Sequence, residues 1–291
     1  MKDSSIFIPE PLTMQEGLKA RLPDFAVVQW VGSTGSTNAD LYALARQPDA
    51  SPMRPWLLGA HLQTHGRGRA GRGWQNRRGA NLMFSCAFDI FLPAAQLPVL
   101  APLAGLSAAE TLGRLLSPEK AAGIGVKWPN DILWRGAKLS GILVEATRAG
   151  TARQTGDHHV AIIGLGLNLE DARSMSQSLN RRIADWREVC AADAQADSVT
   201  AIALVGSIVQ GWRHTLGQAV RHGLQDLPER WALRDALAGR TVDIHDQGKL
   251  LQTGVACGIN QQGQLLLGTA NGEQTISVGD VSVRLNPGEP G

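Results

Sequence analysis

Cysteine is scarce: Cys86, Cys190 and Cys257 are the only three in 291 residues, far apart and odd in number. That excludes a disulfide framework, and no pair has the spacing of a zinc site. A reducing compartment, the cytoplasm, is the expected location. An excess of one charge is also missing. With 28 Lys plus Arg against 26 Asp plus Glu the net charge is +2, so no whole-molecule field would hold a polyanion and any basic function has to be local. No stretch approaches the roughly 18 apolar residues of a membrane span, and the N-terminus lacks the basic start and unbroken apolar run of an export signal. No membrane association is expected. What is present is a 43% hydrophobic chain, enough for one large core, or a large domain and a small one.

Along the chain, "FAVVQWVGS" reads as a strand that runs through "STGSTN" into the helical spacing of "ADLYALAR", with Asn38 as the expected N-cap. "WLLGAHLQ" and "ANLMFSCAFDI" are strand-like, and "QLPVLAPLAGLSAAETLGRLL" is a long apolar helix. "IGVKWPNDILW", "KLSGILVEATRA" and "HHVAIIGLGLNL" follow as strands separated by turn residues, most without an intervening helix. That predicts a mixed or antiparallel sheet in an α+β domain, not repeated βαβ units. Residues 170–199 are polar and uneven, and no role is assigned to them. "TAIALVGSIVQGWRHTLGQAVRHG" and "LPERWALRDAL" are helices. After Gly239 the texture changes to short β runs with tight turns, a module suited to an SH3-like barrel. The expected boundary lies near Leu237, giving domains 1–237 and 238–291.

Between the second and third strands lies "QTHGRGRAGRGW" (63–74). Gly66, Gly68 and Gly71 fit GxGxxG, but a dinucleotide fingerprint must open a helix, and this run leads into a strand. A nucleic-acid module is an alternative: Ala50 to Phe88 contains no acidic residue and six arginines. RGG-type segments, however, are long, disordered and richer in aromatics than a short insert with Trp74 alone. A solvated surface loop is the plain alternative. The reading preferred is a flexible clamp for small anions, in which glycines allow close approach and Arg forks match carboxylate and phosphate oxygens. In "KWPND", Lys127 ends an apolar strand and aims its charge at one place, and Asn130 offers both donor and acceptor. Asp157-His158-His159 lacks a third ligand in register and reads as a surface loop, so no metal site is expected.

Taken in order, Ser36-Thr37-Asn38, "GRGRAGRGW", "KWPND", "KLSGILVE", "GLGLNL" and the small β module with "VGDVSVRL" closely resemble the biotin protein ligases, over about Ser36 to Leu285. The resemblance implies a class II synthetase-like catalytic domain of the biotin/lipoate ligase type. It implies an enzyme that joins biotin to AMP and passes the biotinyl group to one lysine of a biotin carrier domain of a carboxylase. Carried over by position, Ser36, Thr37, Asn38 and Gln63 contact the biotin head group. Arg67, Gly68 and Arg69 line the carboxylate and phosphate, and Lys127 bridges both. Arg72, Trp74, Asn130 and Asn168 lie on the nucleotide side. Mg²⁺ would arrive with ATP, held largely by phosphate oxygens and water. No base is evident for the acceptor lysine; Asp131 or a lowered local pKa are both open. Lipoate or octanoate ligases are the alternative within the fold. Relatives that also act as repressors begin with a winged helix, and 35 residues precede Ser36, so a ligase with no operator-binding role is expected. A monomer and a weak homodimer both remain open.

Overall fold

A computed structural model describes residues 6–47, 53–148, 157–246, 248–279 and 281–286. Helix α1 (Pro11–Arg21) leads to β1 (Val27–Val31), α2 (Thr37–Ala45), β2 (Trp56–Ala60) and β3 (Asn81–Phe91). Helices α3 (Leu100–Arg114) and α4 (Pro118–Ala121) precede β4 (Ile124–Lys127), β5 (Asp131–Trp134), β6 (Ala137–Thr147) and β7 (His158–Asn168). Then come α5 (Ala172–Leu179), α6 (Trp186–Ala192), α7 (Ala194–Asp197), α8 (Ala201–His222) and α9 (Leu227–Ala232). The chain ends in β8 (Thr241–Asp246), β9 (Lys249–Ile259), β10 (Leu265–Thr269), β11 (Gly272–Ile276) and β12 (Ser282–Leu285). No described helix is long and apolar enough to cross a membrane.

The seven-stranded sheet runs β1-β2-β3-β7-β6-β5-β4. Only β1 and β2 pair in parallel; every other neighbour is antiparallel. This is the mixed sheet expected from strands joined without helices. The first ten residues of β3 are nearly all buried, because α2 covers one face of the sheet while α3 and α8 cover the other. Apart from Glu110 and Arg114, all of α3 is buried. A helix apolar all round belongs inside, and α3 lies between the sheet, α8 and the C-terminal module, where Gly263 packs on Pro102 and Val99.

The module after Leu237 is a five-stranded antiparallel sheet of order β11-β10-β9-β8-β12. Its first strand starts at Thr241, and Asp280 of "VGDVSVRL" lies outside the described residues. Trp128 reaches across to it, its indole Nε1–H donating to Gly263 O at 2.9 Å.

Three local readings are corrected. The N-cap of α2 is Ser36, extended at φ −161° and accepting from Ala39 N, because the Asn38 amide is taken up by partners across the sheet. "LPERWALRDAL" is helical only over Leu227–Ala232; beyond it the backbone pairs with β4, Arg234 O accepting from Val126 N at 2.7 Å and Ala236 N donating to Val126 O at 2.9 Å. His158 and His159 open β7 instead of forming a surface loop. His158 Nε2 lies 2.8 Å from Asp89 Oδ1, which Arg54 Nε also meets at 2.7 Å.

Candidate active site

All twelve residues singled out from the sequence line one cavity of about 790 Å³, closed on one side by β12 of the C-terminal module. The first wall is the N-terminus of α2. Ser36, Thr37 and Asn38 are buried there. Gln63 Oε1 accepts from Thr37 N at 2.8 Å. Ser85, on β3, stands 2.7 Å from Thr37 Oγ1 and donates to Asn38 Oδ1 at 2.6 Å. Asn38 comes this close to the sheet because Gly164 leaves the space: a Cβ there would lie 2.1 Å from Asn38 Oδ1. In the sheet register Gly164 faces Ser85 on one side and Leu143 on the other.

The second wall is the glycine-arginine loop, which folds as a small hairpin. Gly68 N donates to Arg72 O at 2.7 Å and Trp74 N to Gly66 O at 2.8 Å. Its tip turns through Ala70 and Gly71, both at positive φ (53° and 68°). Arg69–Gly71 form one 3-10 turn and no α-helix starts there, so the dinucleotide pattern inside the loop is a coincidence of composition. Arg67 is 3.5 Å from Glu145. Arg69 donates to Asn130 Oδ1 at 3.1 Å and to the backbone carbonyls of Val281, at 3.1 Å, and Gly279. Exposed Arg72 donates from Nε to Arg69 O at 3.3 Å. Trp74 lies on the backbone of Gly141 and Gly166, with Lys138 Nζ 5.8 Å from its ring centre. Its indole N–H is buried without a hydrogen-bond partner among the described residues, an orphan donor.

The third wall is the β4–β5 turn. Lys127 ends β4 opposite Asp131. Burial pushes its pKa down; Asp131 pulls it back up, while Lys138, Arg181 and Arg284 push it further down. Asp131 itself is bonded to Lys138 at 2.5 Å. Asn130 is held by Arg69 and by Ile142 O. Asn168 is also fully engaged: its Oδ1 accepts from Asn81 at 3.2 Å and its Nδ2 donates to Ala184 O at 3.1 Å. Asn168 therefore braces the wall with the polar atoms it has.

Sequence reasoning missed the fourth wall. Met175, Leu179, Arg181 and Ile183, from the segment left without a role, line the cavity together with Val283 and Arg284 of β12. Ser85 and Glu145 were missed as well. The lining carries seven Lys and Arg (Arg67, Arg69, Arg72, Lys127, Lys138, Arg181, Arg284) against Asp131 as the one carboxylate among the described residues. The chain as a whole is almost neutral, so the positive charge is concentrated here. A larger groove of about 920 Å³ between α3, α8 and α9 balances Arg114 and Arg230 with Glu110 and Asp226, and Glu110 and Asp226 both bond Arg230. Of these two, the first cavity has the unbalanced positive charge that can draw two anions together.

Comparison with known proteins bears on the same residues. Residues 32–168 match the Biotin/lipoate A/B protein ligase family, and residues 237–284 match the Biotin protein ligase C terminal domain. A biotin acetyl-CoA-carboxylase ligase of Mycobacterium tuberculosis is 30% identical over 86% of this chain and 86% of its own length. The bifunctional ligase/repressor BirA of Escherichia coli is 33% identical over 72% of this chain and 60% of its own. In fold, the chain is similar to the biotin protein ligase of Aquifex aeolicus in complex with biotin and ATP, with a TM-score of 0.68, 24% identity, and coverage of 89% of this chain and 99% of that one. Identity of that order across most of both chains, with the two family models in sequence order over the two sheets, leads to one conclusion: the chain belongs to the biotin protein ligases.

Proposed function

We propose that this ligase activates biotin with ATP as biotinyl-AMP and transfers the biotinyl group to a single lysine of a biotin carrier domain of a carboxylase. The observation that carries it is the convergence of Arg67, Arg69 and Lys127 on a cavity with seven cations and one carboxylate. Two anions repel in water; a partly dry site with fixed cations removes that barrier and holds the reactants in line. A biotin carboxylate oxygen attacks the α-phosphorus and pyrophosphate leaves. The acceptor Nζ, once neutral, then attacks the acyl carbon and AMP leaves with the bonding pair. Asp131 is the one carboxylate of the lining among the described residues and is paired with Lys138, which fits Mg²⁺ arriving on the nucleotide's own phosphate oxygens.

In this reading Ser36, Thr37, Asn38 and Gln63 face the biotin head group, and Trp74 offers its ring and free N–H to the nucleotide. The catalytic domain ends near Leu237. A repressor role is not part of the proposal: α1 buries Met14 and Leu18 in the catalytic core and packs on β1 and α8, so residues 11–35 serve the enzyme. The test is purified protein with biotin and MgATP, alone and with a carrier domain. Biotinyl-AMP and a carrier heavier by one biotinyl group are expected. Transfer of lipoate or octanoate but not biotin would move the chain to the other branch of the fold, and salt-sensitive duplex DNA binding would restore a regulatory role.

A further inference from the structure

Glu145 does not line the cavity, yet the polar groups of its biotin side lead back to this carboxylate. Asn38 Nδ2 donates to Glu145 Oε2 at 2.9 Å and, over a longer 3.4 Å, to Leu143 O. Arg67 reaches the other oxygen, Oε1, at 3.5 Å. One residue on β6 thus holds both the floor under α2 and the root of the glycine-arginine loop.

Counting protons gives the relay a direction. A carboxylate only accepts, so the Asn38 amide must turn its NH₂ toward Glu145, which leaves Oδ1 to accept from Ser85. Ser85 has one proton and gives it to Asn38 at 2.6 Å. At the 2.7 Å contact between Thr37 Oγ1 and Ser85 Oγ, Thr37 must then be the donor. With its proton committed there, Thr37 cannot also donate across the 3.2 Å to Gln63 Oε1, which is served by Thr37 N–H at 2.8 Å. The outcome is a surface of defined polarity. Thr37 Oγ1 has only lone pairs left to offer, and Gln63, its oxygen turned to Thr37, offers N–H donors. A urea, with N–H donors beside a carbonyl acceptor, matches that pair.

We infer that Glu145 is a positioning residue that, as the shorter of the two acceptors of the Asn38 amide, fixes the direction of the hydrogen bonds in this relay, and so the site's selectivity for the urea end of biotin. The inference rests on the ligase reading above. With Glu145 replaced by an amide, the long 3.4 Å bond to Leu143 O is the remaining acceptor-only partner of the Asn38 amide, and the relay's single direction is weakened.

The test is steady-state adenylation by Glu145→Gln, with KM measured separately for biotin and ATP. A biotin KM raised roughly tenfold is expected, in the range of losing a charge-assisted hydrogen bond, with the ATP KM and melting temperature close to wild type. Ser85→Ala reads the same relay from the other end, and the double variant should lose less than the two single losses combined. A biotin KM within twofold of wild type, or parallel changes in both KM values and in melting temperature, overturns the inference. Inactive wild-type protein in the same assay would defeat the ligase reading instead, so the two failures are distinguishable.

Discussion

Lys127 lies part-buried in the cavity wall at a cost to stability. Burial lowers its pKa from the ordinary lysine value, and Asp131, the nearest opposing charge, is already bonded to Lys138. Between the lowered folded value and the unfolded value of about 10.4, the unfolded chain holds the extra proton, so stability rises with pH across that window. Activity should move the other way, because a neutral Lys127 no longer offsets two anions. Lys127→Met should therefore raise the melting temperature at pH 7, remove this alkaline gain, and cut adenylate formation by at least about 100-fold. Melting curves and burst assays from pH 7 to 10 check it, and a destabilised or near-normal variant would remove Lys127 from this role. At this scale much of the site was legible. Residue type and order singled out Lys127, the arginines and Asn38, all of which line the cavity. Ser85 and Glu145 were not legible, because what matters about them is which atom they meet across the sheet, and register is not written in either residue.

Among the elements, β7 organises the site. Gly164 and Gly166 are two apart and so share a face, and each makes room for one ligand-side group. A Cβ on Gly164 would meet Asn38 Oδ1 at 2.1 Å, and one on Gly166 would meet the Trp74 ring at 2.5 Å. Gly164→Ala should raise the biotin KM by about tenfold or more, and Gly166→Ala the ATP KM instead, each with overpacking of about 1–3 kcal/mol. In a chain of this size that lowers the melting temperature by about 2–4 °C per kcal/mol. Isothermal titration with each substrate separates them; both variants affecting the same substrate would contradict the division of the cavity. The strand could be predicted from "HHVAIIGLGLNL", but which side its glycines open onto could not. The segment 170–199 was harder. Helix α5 lies at the cavity rim, and its inner face is marked by buried Ala172 and by Met175 and Leu179, which reach the cavity.

Across the whole molecule, the C-terminal module completes the site with backbone atoms. Gly263 O accepts from Trp128 beside Lys127, and Val281 O, with Gly279 O, holds Arg69 of the loop. A change of texture after Gly239 signalled the module. Its docking left no trace, since a main-chain carbonyl has no residue identity to read. Two substitutions probe these contacts separately. Trp128→Phe keeps an aromatic ring but removes the indole N–H and some buried volume, leaving Gly263 O unpaired at about 1–3 kcal/mol; Arg69→Ala releases the loop while leaving the first contact intact. Trp128→Phe should therefore make the chain more sensitive to protease near Leu237, whereas Arg69→Ala should do so near Arg67 to Arg72. Biotin with ATP should restore protection at the loop in the first variant but not in the second. Equal cleavage patterns in wild type and both variants would mean that the module only sits beside the cavity. Distinct patterns, together with a raised ATP KM in both variants, would mean that the small domain is a working wall of the active site.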